Sequence, residues 1–326
     1  MKRALRLTLY VLAFLLFIWV LRSVSLADTW GILQRLGWWQ LGLLALANGI
    51  VLWVGNGRWW LILRGQGYAL PYLTLTGYRL AGYGLSYFTP GPLFGGEPLQ
   101  VVLVERLGVP RPTAVAAVAL DKTLELIINF SFLLVGVAVV LQTQLLPGLG
   151  WTTAVYPLSL LALPSFFLLA IWADWQPLSR LMRLISRLPL RPGWQPMYQR
   201  LQTGIHTSEA QAAAFCRQQP AVLLLAFLVT LLSWASLIGE FWLMLTLLGV
   251  HLTFLEMVVL LTAARIAILL PLPGGLGTLD ASQMFAFALL GMGAETAVSF
   301  TLLIRTRDIL LGGLGLWWGL SLIRRR

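Results

Sequence analysis

Six apolar runs, at about 5–22, 38–63, 111–143, 151–173, 220–249 and 294–323, are each long enough to cross the ~30 Å hydrocarbon core of a bilayer, a task for about 20 helical residues. Runs of this kind commit most of the chain to lipid as its solvent. Composition agrees: 59% of the 326 residues are hydrophobic, only 11% are charged, and mean hydropathy is +0.82. A soluble chain carries about a quarter of its residues as charges to cover its surface. The expected fold class is therefore an all-α polytopic membrane protein of about six full spans, forming a single membrane domain over residues 1–326.

Two further apolar regions are interrupted. Residues 71–107 break at Thr89-Pro90-Gly91-Pro92, and residues 253–291 break at Pro271-Leu272-Pro273-Gly274-Gly275. Proline removes a backbone donor and clashes with the preceding turn, and glycine adds conformational freedom. Each region reads as two shorter helices meeting at a non-helical tip. The piece after the first break, about 95–107, would reach only about 20 Å at ~1.5 Å per residue, short of the ~30 Å core. Both regions are expected to be re-entrant hairpins or broken spans rather than simple crossings.

The net charge of +11 comes from basic residues scattered at the ends of apolar runs, with no basic domain for nucleic acid. If each hairpin returns to the side it entered, one side holds Lys2, Arg3, Arg6, Arg64, Arg111, the 174–219 connection and Arg324-Arg325-Arg326. The positive-inside rule makes that side cytoplasmic, with both termini there, in the plasma (inner) membrane. The run Leu7–Leu21 behind Lys2, Arg3 and Arg6, with Ser25-Leu26-Ala27 after it, is read as an uncleaved first helix. A cleaved signal peptide is the alternative. One cysteine, Cys216, and two distant histidines, His206 and His251, point to no metal site, and no cofactor is expected. In the connection, Arg180, Arg183 and Arg187 share one helical face, with Leu181, Leu184, Ile185 and Leu188 elsewhere. This reads either as an interfacial helix on an anionic leaflet or as a plain orienting loop.

Residues 90–136 align with 273–319 without a gap, at an offset of 183. Pro90/Pro273, Gly91/Gly274, Gln100/Gln283, Gly108/Gly291, Thr123/Thr306 and Gly136/Gly319 are identical. So are Thr113-Ala114-Val115 and Thr296-Ala297-Val298. Charge type is kept at Glu97/Asp280, Lys122/Arg305 and Glu125/Asp308. This suggests a duplication, with repeat 1 at about 38–143 and repeat 2 at about 220–323. Three spans between the hairpins make the second open to the opposite side, so the repeats are expected to be inverted, a recurring transporter plan.

Asp121 lies ten residues, or about 15 Å, inside the span beginning near Arg111, which is mid-bilayer depth. Asp121, Lys122 and Glu125 occupy neighbouring turns, as do Arg305, Arg307 and Asp308. Lys122–Glu125 and Arg305–Asp308 are i,i+3 pairs. A charge at the bilayer centre costs at least ~2.5–3.5 kcal/mol. Either these side chains pair with one another and fix helix packing, or they line a cavity for a head group. Arg265, two turns before the second break, adds a cation. The helix N-termini that begin at Gly95-Gly96-Glu97 and Gly275–Asp280 favour an anion, with Glu97 and Asp280 as capping or ligand groups. Glu240, in the middle of its span, is a candidate for proton coupling.

Pro90-Gly91-Pro92 with Gly95-Gly96-Glu97, Asp121-Lys122-x-x-Glu125, and Pro273-Gly274-Gly275-Leu276-Gly277 with Asp280 resemble the lysylphosphatidylglycerol synthetase transmembrane-region family, a flippase-like domain. The resemblance covers about 40–322. Gln100 stands where that family commonly has a basic residue. Asp121-Lys122 stand for its Glu-Arg, and Asp280 for its Glu. The resemblance implies re-entrant helices and a role in moving or exposing lipid. The sequence ends at Arg326 without the soluble aminoacyltransferase of the bifunctional members, so no aminoacylation by this chain is expected. The partner implied is a membrane lipid: a phospholipid, a polyprenyl-linked sugar or a hopanoid-type lipid. The leading expectation is a lipid translocase that holds an anionic head group at mid-bilayer on Lys122, Arg305, Arg307 and Arg265, beside Asp121, Glu125 and Asp308. The alternatives are a membrane enzyme acting on a head group, for which no catalytic motif is present, and a non-transporting scaffold for envelope-lipid synthesis.

Overall fold

The computed structural model describes residues 34, 36–88, 95–146, 148–186, 195–270, 275 and 277–324. The expected first span at 5–22 lies outside them, as do Pro90, Gly91, Pro273 and Gly274 at the two breaks. Eleven α-helices account for most of the described residues, which include no strand. They are α1 (Trp38–Gly65), α2 (Tyr72–Phe88), α3 (Glu97–Glu105), α4 (Arg111–Gln142), α5 (Val155–Trp172, led by a 3-10 turn Trp151–Ala154), α6 (Pro177–Ile185), α7 (Gln195–Gln218), α8 (Pro220–Leu247), α9 (Phe254–Leu269), α10 (Thr278–Leu289) and α11 (Ala294–Arg324).

The protein is an all-α polytopic membrane protein. Among the described residues, α1, α4, α5 with its leading turn, and α8 are long and apolar enough to cross a membrane. Their outer faces show why: Leu158, Leu163, Phe166 and Leu169 on α5, and Leu224, Leu228 and Leu232 on α8, are more than half exposed or close to it. In water such surfaces would be untenable; in lipid they are solvated. The last helix, α11, is long enough to cross but carries Glu295, Arg305, Arg307 and Asp308 along its length.

Helix starts Trp38, Tyr72, Glu97 and Arg111, moved along the chain by the offset of 183, fall within two residues of Pro220, Phe254, Thr278 and Ala294. The packing repeats in the same way. α2 packs on α3 and α3 on α4, while α9 packs on α10 and α10 on α11. Across the two sets, α1 lies on α8, α2 on α11 and α4 on α9. Lipid tails give no hydrophobic drive for helices to associate, so close backbone approach through small residues matters. At Gly315 on α11, a Cβ would lie 2.2 Å from the Leu80 carbonyl oxygen of α2. At Gly136 on α4, it would lie 1.8 Å from Thr262 Oγ1 of α9. Only glycine permits these two crossings.

Two larger apolar clusters form among the described residues, beside two small ones at Val298 and at Val139, Val258 and Val259. One of the larger pair is built around Trp59, Leu75, Leu103, Leu120 and Phe215, the other around Phe241, Met257, Phe287 and Phe300. The polar site lies where α1–α4 meet α8–α11.

Candidate functional site

A cavity of about 440 Å³ opens between the two helix sets, with walls from all eight helices. Its charged lining begins on α4, where Asp121, Lys122 and Glu125 occupy successive turns. Arg58 of α1 meets Asp121 two-pronged, with Nε to Oδ1 at 2.6 Å and Nη2 to Oδ2 at 3.1 Å, and also reaches Glu125 Oε2 at 3.2 Å. Arg79 of α2 approaches the same Asp121 at 3.2 Å. Lys122 Nζ sits between Glu125 Oε1 and Glu97 Oε1, 3.2 Å from each. Three cations thus face three carboxylates. Arg58 and Asp121 are only 3% and 5% exposed, so each pair must neutralise itself where it stands.

A second group joins α8 and α11. Glu240 is 1% exposed, and its Oε1 accepts from Asn48 Nδ2 and from Arg307 Nη1, both at 2.8 Å. Its Oε2 has no hydrogen-bond partner among the described residues. Arg307 also donates to Asp308 Oδ1 at 2.9 Å and lies 5.4 Å from the Phe241 ring centre. One guanidinium here serves two carboxylates.

The third group lies beside the cavity wall. Arg305 donates from Nε to Asp280 Oδ1 at 2.9 Å, pairs through Nη2 with Oδ2, and reaches the Gly275 carbonyl at 3.3 Å. Asp280 accepts the Gly277 N–H at 2.9 Å, as Glu97 accepts the Gly95 N–H at 2.9 Å. Both acids therefore cap the backbone at their own helix start while binding the cation of the long helix behind.

Arg265 on α9 differs. Its guanidinium lies 4.6 Å from the Trp234 ring centre, and among the described residues no carboxylate oxygen comes within 4.0 Å of it. Its Nε is buried without a hydrogen-bond partner. It lines the same cavity as the α4 cluster.

The family model described as the lysylphosphatidylglycerol synthase TM region matches residues 4–314. The chain belongs to this family. No curated protein matches it. Membership of the lysylphosphatidylglycerol synthase TM region family is consistent with a membrane lipid-related role, and the described parts of the motifs that carried the resemblance can be placed in space. Asp121, Lys122 and Glu125 come together with Glu97 and line the cavity, as do Gly96, Arg265, Arg307 and Asp308. Gly95 and Gly275 stand at the starts of α3 and α10.

One of the two expected i,i+3 pairings differs in the structure. The i,i+3 contact forms for Lys122 and Glu125, but Arg305 passes over Asp308 to Asp280, and Asp308 is held by its neighbour Arg307. A bidentate carboxylate at the buried start of α10 is the better acceptor for a planar guanidinium. The sequence reading also missed Arg58, Arg79, Trp234, and the stacked Tyr83 and Tyr87, whose ring centres lie 6.2 Å apart on the cavity wall. Arg58 lies within an apolar run, so the reasoning applied to Asp121 would have found it. Among the described residues, no three His, Cys, Asp or Glu side chains assemble to hold a metal ion.

Proposed function

We propose that this protein is a lipid translocase of the flippase type, holding the anionic part of a lipid head group in the cavity between two inverted repeats. The observation that carries the reading is Arg265. It is the one cavity-lining cation among the described residues with no carboxylate in ion-pair range, and Trp234 holds its guanidinium against the wall. A cavity of about 440 Å³ suits a head group, within the ~300–1,000 Å³ of ordinary ligand sites, while the tails stay in the surrounding lipid.

Coincident helix starts and mated packings support reading α1–α4 and α8–α11 as repeats. Three helices of spanning length, α4, α5 and α8, separate the two breaks, which supports opposite insertion of two re-entrant pairs. Alternate opening of the pairs would expose the cavity to each leaflet in turn. Lys122, Arg307 and the α4 carboxylates shape the polar wall, and Arg305–Asp280 brace the second pair. Glu240, whose buried Oε2 has no hydrogen-bond partner among the described residues, is the proton-coupling candidate of this reading. Plasma membrane residence with cytoplasmic termini, and a phospholipid, polyprenyl-linked or hopanoid-type lipid as partner, belong to the same reading.

The test is reconstitution into proteoliposomes with fluorescent phospholipids and glycolipids, following inner-leaflet protection from dithionite. Translocation that Arg265→Gln abolishes supports the proposal. Absence of translocation across the whole panel by folded protein overturns it.

A further inference from the structure

A second apolar surface lies away from the cavity, on the short helix α6. Leu178, Leu181, Leu184 and Ile185 fall within about a third of its circumference at ~100° per residue, and all four are exposed, Leu184 by 60%. Arg180 and Arg183 occupy the adjoining exposed face. The remaining side is fixed to the protein: buried Ser179 donates its N–H and hydroxyl to Glu209 Oε2 of α7, and Leu178 N–H donates to Glu209 Oε1 at 2.7 Å. Glu209 is itself only 4% exposed. A carboxylate at the first turn of a helix satisfies the donors that have no intrahelical partner and complements the dipole. Glu209 therefore sets the direction of α6 rather than leaving it a loose loop.

That direction continues the lipid-facing surface of α5. Trp175, 51% exposed in the turn between the two helices, meets Phe166 on the exposed face of α5 edge-on, with ring centres 6.4 Å apart. Exposed apolar side chains thus follow one another from Leu163 and Phe166, through Trp172 and Trp175, to Leu178 and Leu181. Because α5 is a spanning helix, α6 begins where the bilayer ends. An amphipathic helix there, with apolar residues on one face and arginines beside them, has the composition of an interfacial element on anionic lipid.

We infer that α6 docks on the surface of the protein's own membrane, its leucines among the acyl chains and Arg180 and Arg183 on anionic phospholipid head groups. The test uses the full chain with Leu184→Cys carrying an environment-sensitive fluorophore, reconstituted into POPC or mixed POPC/POPG vesicles. Cys216 is fully buried, so labelling of the native protein goes to the new cysteine. The expected result is blue-shifted emission, quenched by nitroxide lipids, whose docked fraction is larger with POPG. Arg180→Gln with Arg183→Gln should remove that POPG dependence, at about fivefold in docking equilibrium per arginine, the equivalent of ~1 kcal/mol each. A water-like probe in both lipids overturns the inference. So does docking that ignores both POPG and the arginines, or a Leu184→Cys crosslink between copies in place of lipid quenching.

Discussion

Lys122 meets Glu97 at 3.2 Å across two helices, and Arg305, one offset of 183 residues further on, meets Asp280 in the same relation. In each case the acid caps the backbone at the start of a short helix and holds the cation of the long helix that follows. A buried cation that loses its partner, or the reverse, costs ~3–5 kcal/mol. Lys122→Met is expected to destabilise the protein by less than that, since Glu97 loses its cation while Glu125 keeps Arg58. Adding Glu97→Gln should recover part of the loss, and a double-mutant cycle by thermal unfolding in detergent measures it. Strict additivity of the two single changes would show that the pair is not coupled.

Arg265 should behave in the opposite way. Its removal orphans no carboxylate, so Arg265→Gln is expected to change stability by less than about 1 kcal/mol while eliminating lipid translocation. Arg58→Gln leaves Asp121 without its two-pronged partner and is expected to lower the unfolding temperature sharply. Melting curves and flux measured on the same two preparations separate a binding cation from a bracing one.

The α2–α11 crossing predicts a contrast between two glycines on one helix. Gly315→Ala places a methyl against the Leu80 carbonyl and should cost about 1–3 kcal/mol through forced separation of the helices. Gly313 has open space where its Cβ would stand, so Gly313→Ala should be neutral or stabilising, up to the ~1 kcal/mol by which alanine exceeds glycine in a helix. Thermal unfolding of the two single variants decides it.

Cys216 supplies an internal reporter. It is fully buried in α7, and burial pushes its thiol up to about 11. The thiolate is the reactive form, so at pH 8 maleimide labelling of the folded protein should be negligible and should rise only as the chain unfolds. Labelling followed against temperature, with mass spectrometry as the readout, tests both burial and the cooperativity of the melt.

The helix limits were legible because proline, glycine and long apolar runs act locally. The expected runs at 38–63, 111–143, 151–173, 220–249 and 294–323 end within two residues of the observed helices. The charged side chains on α4 were legible too, since charge inside an apolar run is conspicuous in any order of reading. Partnership was not. Arg305 chose Asp280, 25 residues away, over the nearer Asp308 because a helix start had turned that carboxylate toward it. Glu240 found Asn48, 192 residues back, a contact no local pattern encodes.

All six charged partners on and around the first half of α4, namely Arg58, Arg79, Glu97, Asp121, Lys122 and Glu125, lie within residues 58–125. During biosynthesis this stretch leaves the ribosome well before Pro220 is joined to the chain. Its three positive and three negative side chains are complete as a set at that stage, so the charges that line this part of the cavity balance one another before the later helices exist. The later helices, whose Glu240 takes Asn48 as a partner, then assemble onto a half that is already in place.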